Sequence, residues 1–234
     1  MPASRGGRNV GAMRNRVARP LVLAVAVALA ACGSSSGRSG VLSSATTTGG
    51  GKAHTAACHP AGARTLASDS AARVYALGAS VYGCSERTGR RTHLGQTRSC
   101  IGTPRVGAVA VAGDLAAYAL ALCEVDTGRA QVIVRRLTDG RRLASASAFT
   151  GALPPESYTS VDSLVLRSDG ALAWIAGASS IVRPVREREV QRWQHGGSSV
   201  LDAGVNIAPA SLRLHGSSQV SWTDGGTVRT ATLR

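Results

Sequence analysis

Aromatic side chains are scarce in this chain of 234 residues, which contains three tryptophans, four tyrosines and one phenylalanine. Lysine is scarcer still, because Lys52 is the only one, and the formal net charge of +14 therefore comes from arginines scattered along the sequence. A surface that binds nucleic acid combines a basic groove with stacking aromatic rings. The sequence offers no such combination, so nucleic acid is not a predicted partner.

Helical periodicity and long apolar runs are also missing. No segment after residue 32 repeats its apolar residues every 3.6 positions, which disfavours a helical domain. The longest apolar run, residues 21–31, would rise only about 16 Å as a helix, whereas the hydrocarbon core of a bilayer is about 30 Å thick. An uncleaved membrane-spanning anchor is therefore disfavoured as well.

Residue patterns typical of metal sites and catalytic centres are absent. There is no Cys-x-x-Cys pair, and no two histidines stand at a metal-ligand spacing; they are His54, His59, His93, His195 and His215. Two carboxylate pairs occur. We interpret Glu124 and Asp126 as part of a turn, and Glu187 and Glu189 as part of an exposed strand face. No catalytic residue, metal site or cofactor is predicted.

The N-terminal segment has the layout of a secretory signal. Five arginines and no acidic residue precede Cys32, and the apolar run ends at a junction of small residues; the arginines are Arg5, Arg8, Arg14, Arg16 and Arg19. The last four residues, Leu29-Ala30-Ala31-Cys32, resemble the lipobox of bacterial lipoproteins. The resemblance implies that the Cys32 sulfur receives a diacylglycerol group and that a peptidase cuts before Cys32. The alternative is an ordinary cleavable signal with its site at Ala28-Leu29-Ala30.

These features divide the chain into a signal peptide at residues 1–31, a lipidated Cys32 with a flexible tether to residue 60, and a domain at residues 61–234. The tether is rich in Gly, Ser, Thr and Ala, and residues 33–57 would span about 25–30 Å. Removing the five arginines of the signal leaves a charge of 14 − 5 = +9. Weak attraction to anionic lipid or cell-wall polymer is the expected consequence.

The remaining cysteines form an even set, as expected in an exported chain. Cys58, Cys84, Cys100 and Cys123 are predicted to form two disulfides, in one of three pairings. Each disulfide would stabilise the fold by about 2–4 kcal/mol, largely by restricting the unfolded chain. A zinc site is the rival interpretation of the four thiols, and it is disfavoured.

Short alternating apolar runs separated by turn residues predict a series of β-hairpins. The paired runs are residues 73–77 with 81–84, 109–111 with 115–118, 131–137 with 143–147, 163–166 with 171–174, 189–193 with 200–203, and 211–214 with 219–222. Asp139, Asp169 and Asp224 each precede a glycine, and turn chemistry accounts for them. The domain is therefore predicted to be all-β and built from antiparallel hairpins.

The hairpins also predict an internal repeat. Aromatic residues recur near the end of the second strand, at Tyr82, Tyr118, Trp174 and Trp222, where we expect them to pack in the core rather than line a sugar-binding face. Cys84 and Cys123 are each followed by Thr-Gly-Arg at a constant offset of 39. Four short strands per unit, at a period near 40–50 residues, are typical of propeller blades.

The motifs around Thr88-Gly89-Arg90, Thr127-Gly128-Arg129 and Thr138-Asp139-Gly140-Arg141 resemble the blade repeats of WD40-like and quinoprotein-like β-propellers. The resemblance covers residues 70–234 and implies a β-propeller-like domain of about four blades, or an incomplete one. A looser β-sandwich is the alternative arrangement of the same hairpins. Leu94 and Leu143 stand where a tryptophan closes the quinoprotein repeat, so no quinone binding is implied.

The sequence thus predicts a binding or scaffolding module on the extracytoplasmic face of the cell membrane, held there by lipid at Cys32. Its expected partners are the membrane and an envelope protein or polysaccharide, and propellers suggest this role only by analogy of fold. The alternative is an envelope hydrolase or lyase on a propeller scaffold.

Replacing Cys32 with alanine should abolish incorporation of a radioactive fatty acid, because the lipobox resemblance places the diacylglycerol group on that sulfur. The measurement compares label in the native chain with label in Cys32→Ala expressed in the same cells. Label that persists in Cys32→Ala would contradict the predicted anchor.

Overall fold

The computed structural model of the chain describes residues 57–98, 100–182 and 186–234. Strands joined by turns make up almost all of this part, so the all-β prediction is confirmed. Cys32, the signal peptide and the predicted tether up to residue 56 lie outside the described residues. No helix within the described ranges is both long and apolar enough to cross a membrane.

The strands follow one another in four antiparallel meanders. The first meander contains β1 (Arg64–Ser68), β2 (Ala72–Leu77), β3 (Ser80–Ser85) and β4 (Arg91–Gln96). The second contains β5 (Arg105–Ala112), β6 (Leu115–Cys123), β7 (Gly128–Arg136) and β8 (Arg142–Ser147). The third contains β9 (Ser157–Leu166), β10 (Leu172–Ser180), β11 (Arg186–Gln194) and β12 (Gly197–Gly204). The fourth has three described strands, β13 (Arg213–His215), β14 (Gln219–Asp224) and β15 (Thr227–Thr232).

Each of the six predicted hairpins is present, as β2–β3, β5–β6, β7–β8, β9–β10, β11–β12 and β13–β14. Single parallel residue pairs, Gln96 with Arg105 and Gly128 with Tyr158, join the first three meanders into one twelve-stranded sheet. β13–β15 form a separate sheet. The strand order is open at both ends, so among the described residues the strands close into neither a barrel nor a ring.

Consecutive meanders pack against each other through three apolar clusters. The cluster between the second and third meanders includes Leu115, Ala117, Val132, Leu172 and Trp174. Equivalent clusters join the first meander to the second and the third to the fourth. Alternate residues of one strand point to opposite faces, so β6 and β10 each serve two clusters. Burial on both faces explains their nearly continuous apolar sequences.

In the second, third and fourth meanders, a buried aromatic residue on the second strand points toward the preceding meander. Tyr118, Trp174 and Trp222 lie in the three clusters between meanders, which confirms that they are core residues. The first meander differs from the prediction, because its second-strand aromatic is Tyr75 and the predicted Tyr82 lies on the third strand, half-buried. The 39-residue offset of the cysteines therefore links a third strand with a second strand, and it is not the structural repeat.

The first meander has no preceding meander, and a disulfide covers the face on which Tyr75 lies. Cys58 is bonded to Cys84 on β3, and both cysteines are buried beside Tyr75. Burial raises the pKa of the Tyr75 hydroxyl above its ordinary value. Residues 57–60, which the prediction assigned to the tether, are thus attached to the sheet at Cys58.

The second disulfide, Cys100–Cys123, joins the loop between β4 and β5 to the end of β6. The structure thus selects one of the three predicted pairings. Each bond joins two cysteines that follow one another in the set of four. Their separations are 26 and 23 residues, so the two closed loops have similar lengths. They differ in burial, because Cys100 and Cys123 are half-buried.

Removing the Cys58–Cys84 bond should destabilise the chain more than removing Cys100–Cys123. The two loops differ little in length, so restriction of the unfolded chain contributes about 3 kcal/mol in either case. The double variant Cys58→Ala/Cys84→Ala also loses buried sulfur atoms, and we expect an extra cost of about 1–2 kcal/mol. Urea unfolding of the two double variants measures the difference, and equal losses would contradict it.

Candidate functional site

A cleft lies between the second and third meanders. Its volume is about 430 Å³. Its lining comes from β7 and β8, from the β9–β10 and β11–β12 turns, and from Arg234 after the last strand. A cleft between repeated units is a common place for a ligand, because loops of separate elements converge there.

Trp193 forms the aromatic wall of this cleft. It lies on β11 opposite Leu172 of β10, and one part of the indole packs on the core between the second and third meanders. The rest of the half-buried ring lines the cleft beside Val134, Leu143 and Ala144. The cleft thus has an apolar wall that is fixed from behind.

The indole N–H of Trp193 has no hydrogen-bond partner among the described residues, unlike those of the other two tryptophans. Trp174 donates to the backbone oxygen of Ala148 at 2.8 Å, and Trp222 donates to Asp202 at 2.7 Å. A buried Trp usually satisfies its N–H within the protein, and an exposed one offers it to solvent or ligand. The N–H of Trp193 is therefore available.

Polar side chains at the rim are held in place by neighbouring groups. The Asp169 carboxylate accepts from the Arg167 guanidinium at 2.7 Å and from the backbone N–H of Ala171 at 3.0 Å. Gln194 accepts from the backbone N–H of Arg234 at 3.0 Å, which leaves its amide NH₂ without a partner among the described residues. Asp169 thus has the turn role that its position before glycine predicted, and it lines the cleft as well.

His195 occupies an uncommon backbone conformation at the same rim. Gln194 pairs with Gly197, so His195 and Gly196 are the two central residues of the β11–β12 turn. Their φ angles are 52° and 82°, and such two-residue turns require positive φ at both positions. A non-glycine residue with positive φ costs about 1 kcal/mol or more. Because this position holds His195 rather than a glycine, an imidazole ring lines the cleft.

A buried polar network lies further along the same face of β11. Glu189 accepts from the backbone N–H groups of Thr150 and Gly151 at 2.9 and 2.7 Å, and Gln191 donates to both Glu189 and Ala148. The prediction of an exposed face was therefore wrong for Glu189, which is buried, while Glu187 is exposed. The loop after β8 folds over Glu189, and Gly151 permits this because a Cβ there would lie 2.9 Å from the carboxylate.

A second polar pocket, of about 410 Å³, lies on the first meander. The Arg73 guanidinium donates to Nδ1 of His59 at 2.9 Å, so Nε2 of His59 carries the proton and donates to Glu86 at 2.9 Å. Both ring nitrogens of His59 are thus occupied. The arrangement positions residues 57–59 on β2 and leaves no free lone pair for a general base.

The other candidate residues of the sequence are dispersed. Glu124 and Asp126 lie exposed in the β6–β7 turn, as the sequence predicted. Asp139 accepts from the backbone N–H of Arg141, and this hydrogen bond lowers the pKa of Asp139. Two further side chains have defined partners: Asp224 is paired with Arg229, and His215 with Ser221. In the described ranges, His, Cys, Asp and Glu nowhere form a group of three that could hold a metal ion.

Trp193 and its cleft were missed by sequence reasoning. The predicted repeat concerned second-strand aromatics, whereas Trp193 lies on a third strand, two positions before His195 of the His195-Gly196 turn. The sequence feature that could have indicated a role for Trp193 is its position two residues before a tight turn. Asp169 had been predicted as a turn residue, and His195 lay between the predicted runs 189–193 and 200–203. The pairing of β10 with β11 brings the two turns together, and the second meander completes the cleft.

Comparison with known proteins adds no family to this description. No protein-family model matches the chain, and no curated protein is significantly similar to it in sequence.

Replacing Glu189 with alanine should lower the free energy of unfolding by about 2–4 kcal/mol. The change would leave the Thr150 and Gly151 N–H groups and the Gln191 amide without their acceptor in a buried position. Glu187→Ala is the matched control, because Glu187 is exposed on the same strand and should change stability by less than about 0.5 kcal/mol. Equal effects of the two substitutions in urea unfolding would show that the network is not stabilising.

Proposed function

We propose that the chain is a lipid-anchored binding module of the bacterial cell envelope, which displays the Trp193 cleft on the extracytoplasmic side of the membrane. The observation that carries the binding role is the combination of an available aromatic wall with a fixed polar rim in one cleft. Ligand sites combine apolar walls with a few oriented polar groups in this way.

Two disulfides support the extracytoplasmic location. Cys58–Cys84 and Cys100–Cys123 use every cysteine of the described residues, and such bonds persist in oxidising compartments. They agree with the lipobox-like motif, which assigns the remaining cysteine, Cys32, to the lipid. Export and anchoring are thus inferred from independent parts of the chain.

For the architecture we propose an incomplete, four-unit relative of a β-propeller. Support comes from the order of the strands, since four antiparallel meanders stack in sequence and each second-strand aromatic points toward the preceding unit. The meanders begin at Arg64, Arg105, Ser157 and Arg213, which are 41, 52 and 56 residues apart. The variable spacing reflects the longer strands of the second and third units, because the loops between units, residues 97–104, 148–156 and 205–212, are nearly equal in length.

The geometry of the cleft supports binding better than catalysis by an envelope hydrolase or lyase. A catalytic base is usually oriented by a third group, and His195 has no hydrogen-bond partner among the described residues. The Asp169 carboxylate is ion-paired with Arg167 at 2.7 Å and also accepts from the backbone N–H of Ala171, so it is held in place by the protein. Both side chains are suited to contact a ligand.

Replacing Trp193 with alanine should reduce binding to envelope components at least about tenfold, because an aromatic side chain at the centre of a binding site commonly contributes 2 kcal/mol or more. The full chain is purified in detergent, immobilised and incubated with an extract of bacterial envelope. Bound protein and bound carbohydrate are then quantified for the native chain and for Trp193→Ala.

Glu187→Ala controls for nonspecific charge effects, because Glu187 lies on the same strand but does not line the cleft. It should retain the same material as the native chain. Equal retention by Trp193→Ala and the native chain would contradict the proposed role of the cleft.

A further inference from the structure

We infer that the Trp193 cleft binds a neutral saccharide unit, which stacks on the indole ring and bonds to the rim through its hydroxyl groups. This inference rests on the proposed binding role of the cleft and names its ligand class.

The aromatic wall suits the apolar face of a sugar ring. The core side of the Trp193 indole packs near Leu172 and Trp174, so the ring is already oriented before a ligand arrives. The face of an indole carries negative potential, which attracts the weakly positive C–H groups of a pyranose. Little conformational entropy is lost on binding, because a Trp side chain rotates about only two bonds.

The rim offers donors and acceptors side by side. The indole N–H of Trp193 and the amide NH₂ of Gln194 are donors without partners among the described residues. Each oxygen of the Asp169 carboxylate accepts one hydrogen bond from the protein and has capacity for another. A hydroxyl group both donates and accepts, so neighbouring hydroxyls of a sugar match this mixture.

The charges around the cleft favour a neutral ligand. The carboxylate of Asp169 is balanced by the Arg167 guanidinium at 2.7 Å, and Arg234 is the only other residue of permanent charge in the lining. An anionic ligand would meet the Asp169 carboxylate, and a cationic ligand would meet the Arg234 guanidinium. A wholly apolar ligand would leave the rim groups unpaired at a cost in free energy.

The dimensions suit a unit within a longer polymer. The cleft volume of about 430 Å³ lies toward the lower end of ligand sites, which occupy roughly 300–1,000 Å³. The cleft is open to solvent rather than enclosed, so the chain on either side of a bound sugar could continue outside it.

Titration of the full chain in detergent with cellotetraose, maltotetraose and tetra-N-acetylchitotetraose tests the inference. Trp174 and Trp222 are buried, at 0% and 3% exposure, so Trp193 is the tryptophan whose fluorescence should respond. We expect a saturable change in emission with at least one of these oligosaccharides, and none in Trp193→Phe. Calorimetry should show an affinity at least about thirtyfold lower for Trp193→Ala and about tenfold lower for Gln194→Ala.

Glu187→Ala should bind the oligosaccharide like the native chain, since Glu187 does not line the cleft. Absence of saturable binding to every oligosaccharide would overturn the saccharide assignment, and undiminished binding by Trp193→Ala would overturn its location. Envelope components that are retained through Trp193 while no oligosaccharide binds would leave the proposed function standing and reject only the ligand class. Failure of the native chain to retain any envelope component would reject the proposed function itself.

Discussion

The fold depends on one contact that is made three times, in which the second-strand aromatic of a meander packs into the meander before it. Tyr118, Trp174 and Trp222 fill the three clusters between meanders, and the two indoles add hydrogen bonds to the preceding unit. Loss of such a ring from a core typically costs about 3–5 kcal/mol, a large share of the stability of a domain. Three of the few aromatic residues of this chain thus hold consecutive meanders together.

The first meander must also cover its second-strand aromatic, and it does so in a different way. Tyr75 occupies the second-strand position, but no meander precedes it among the described residues, and the buried Cys58–Cys84 bond covers it instead. The disulfide thus buries the Tyr75 ring, as the preceding meander buries the aromatic residue of each later meander. The disulfide therefore closes the start of the stack, and the Arg73–His59–Glu86 contacts fix the adjoining residues.

The cleft is a consequence of how the second and third meanders meet. Glu189, Gln191 and Trp193 alternate along β11 and all face the second meander. The first two bind the loop that follows β8 and so connect the third meander to the second. Trp193 comes last, where the two meanders diverge, and its ring is therefore supported on one side and open on the other.

Local sequence determined the hairpins, because alternating apolar residues and Gly-containing turns need only neighbouring residues to act. β1, β4 and β15 were not predicted, since these strands are largely polar. β1 and β15 each pair with one neighbouring strand, and β4 adds only a single parallel pair with β5. The sequence also determined an even set of cysteines, but only the fold chose their pairing. Burial of Glu189 required tertiary structure, because the loop that covers it follows β8 and belongs to the second meander. Trp193, His195 and Asp169 come together because the pairing of β10 with β11 places two turns of the third meander at the same end, where the second meander completes the cleft.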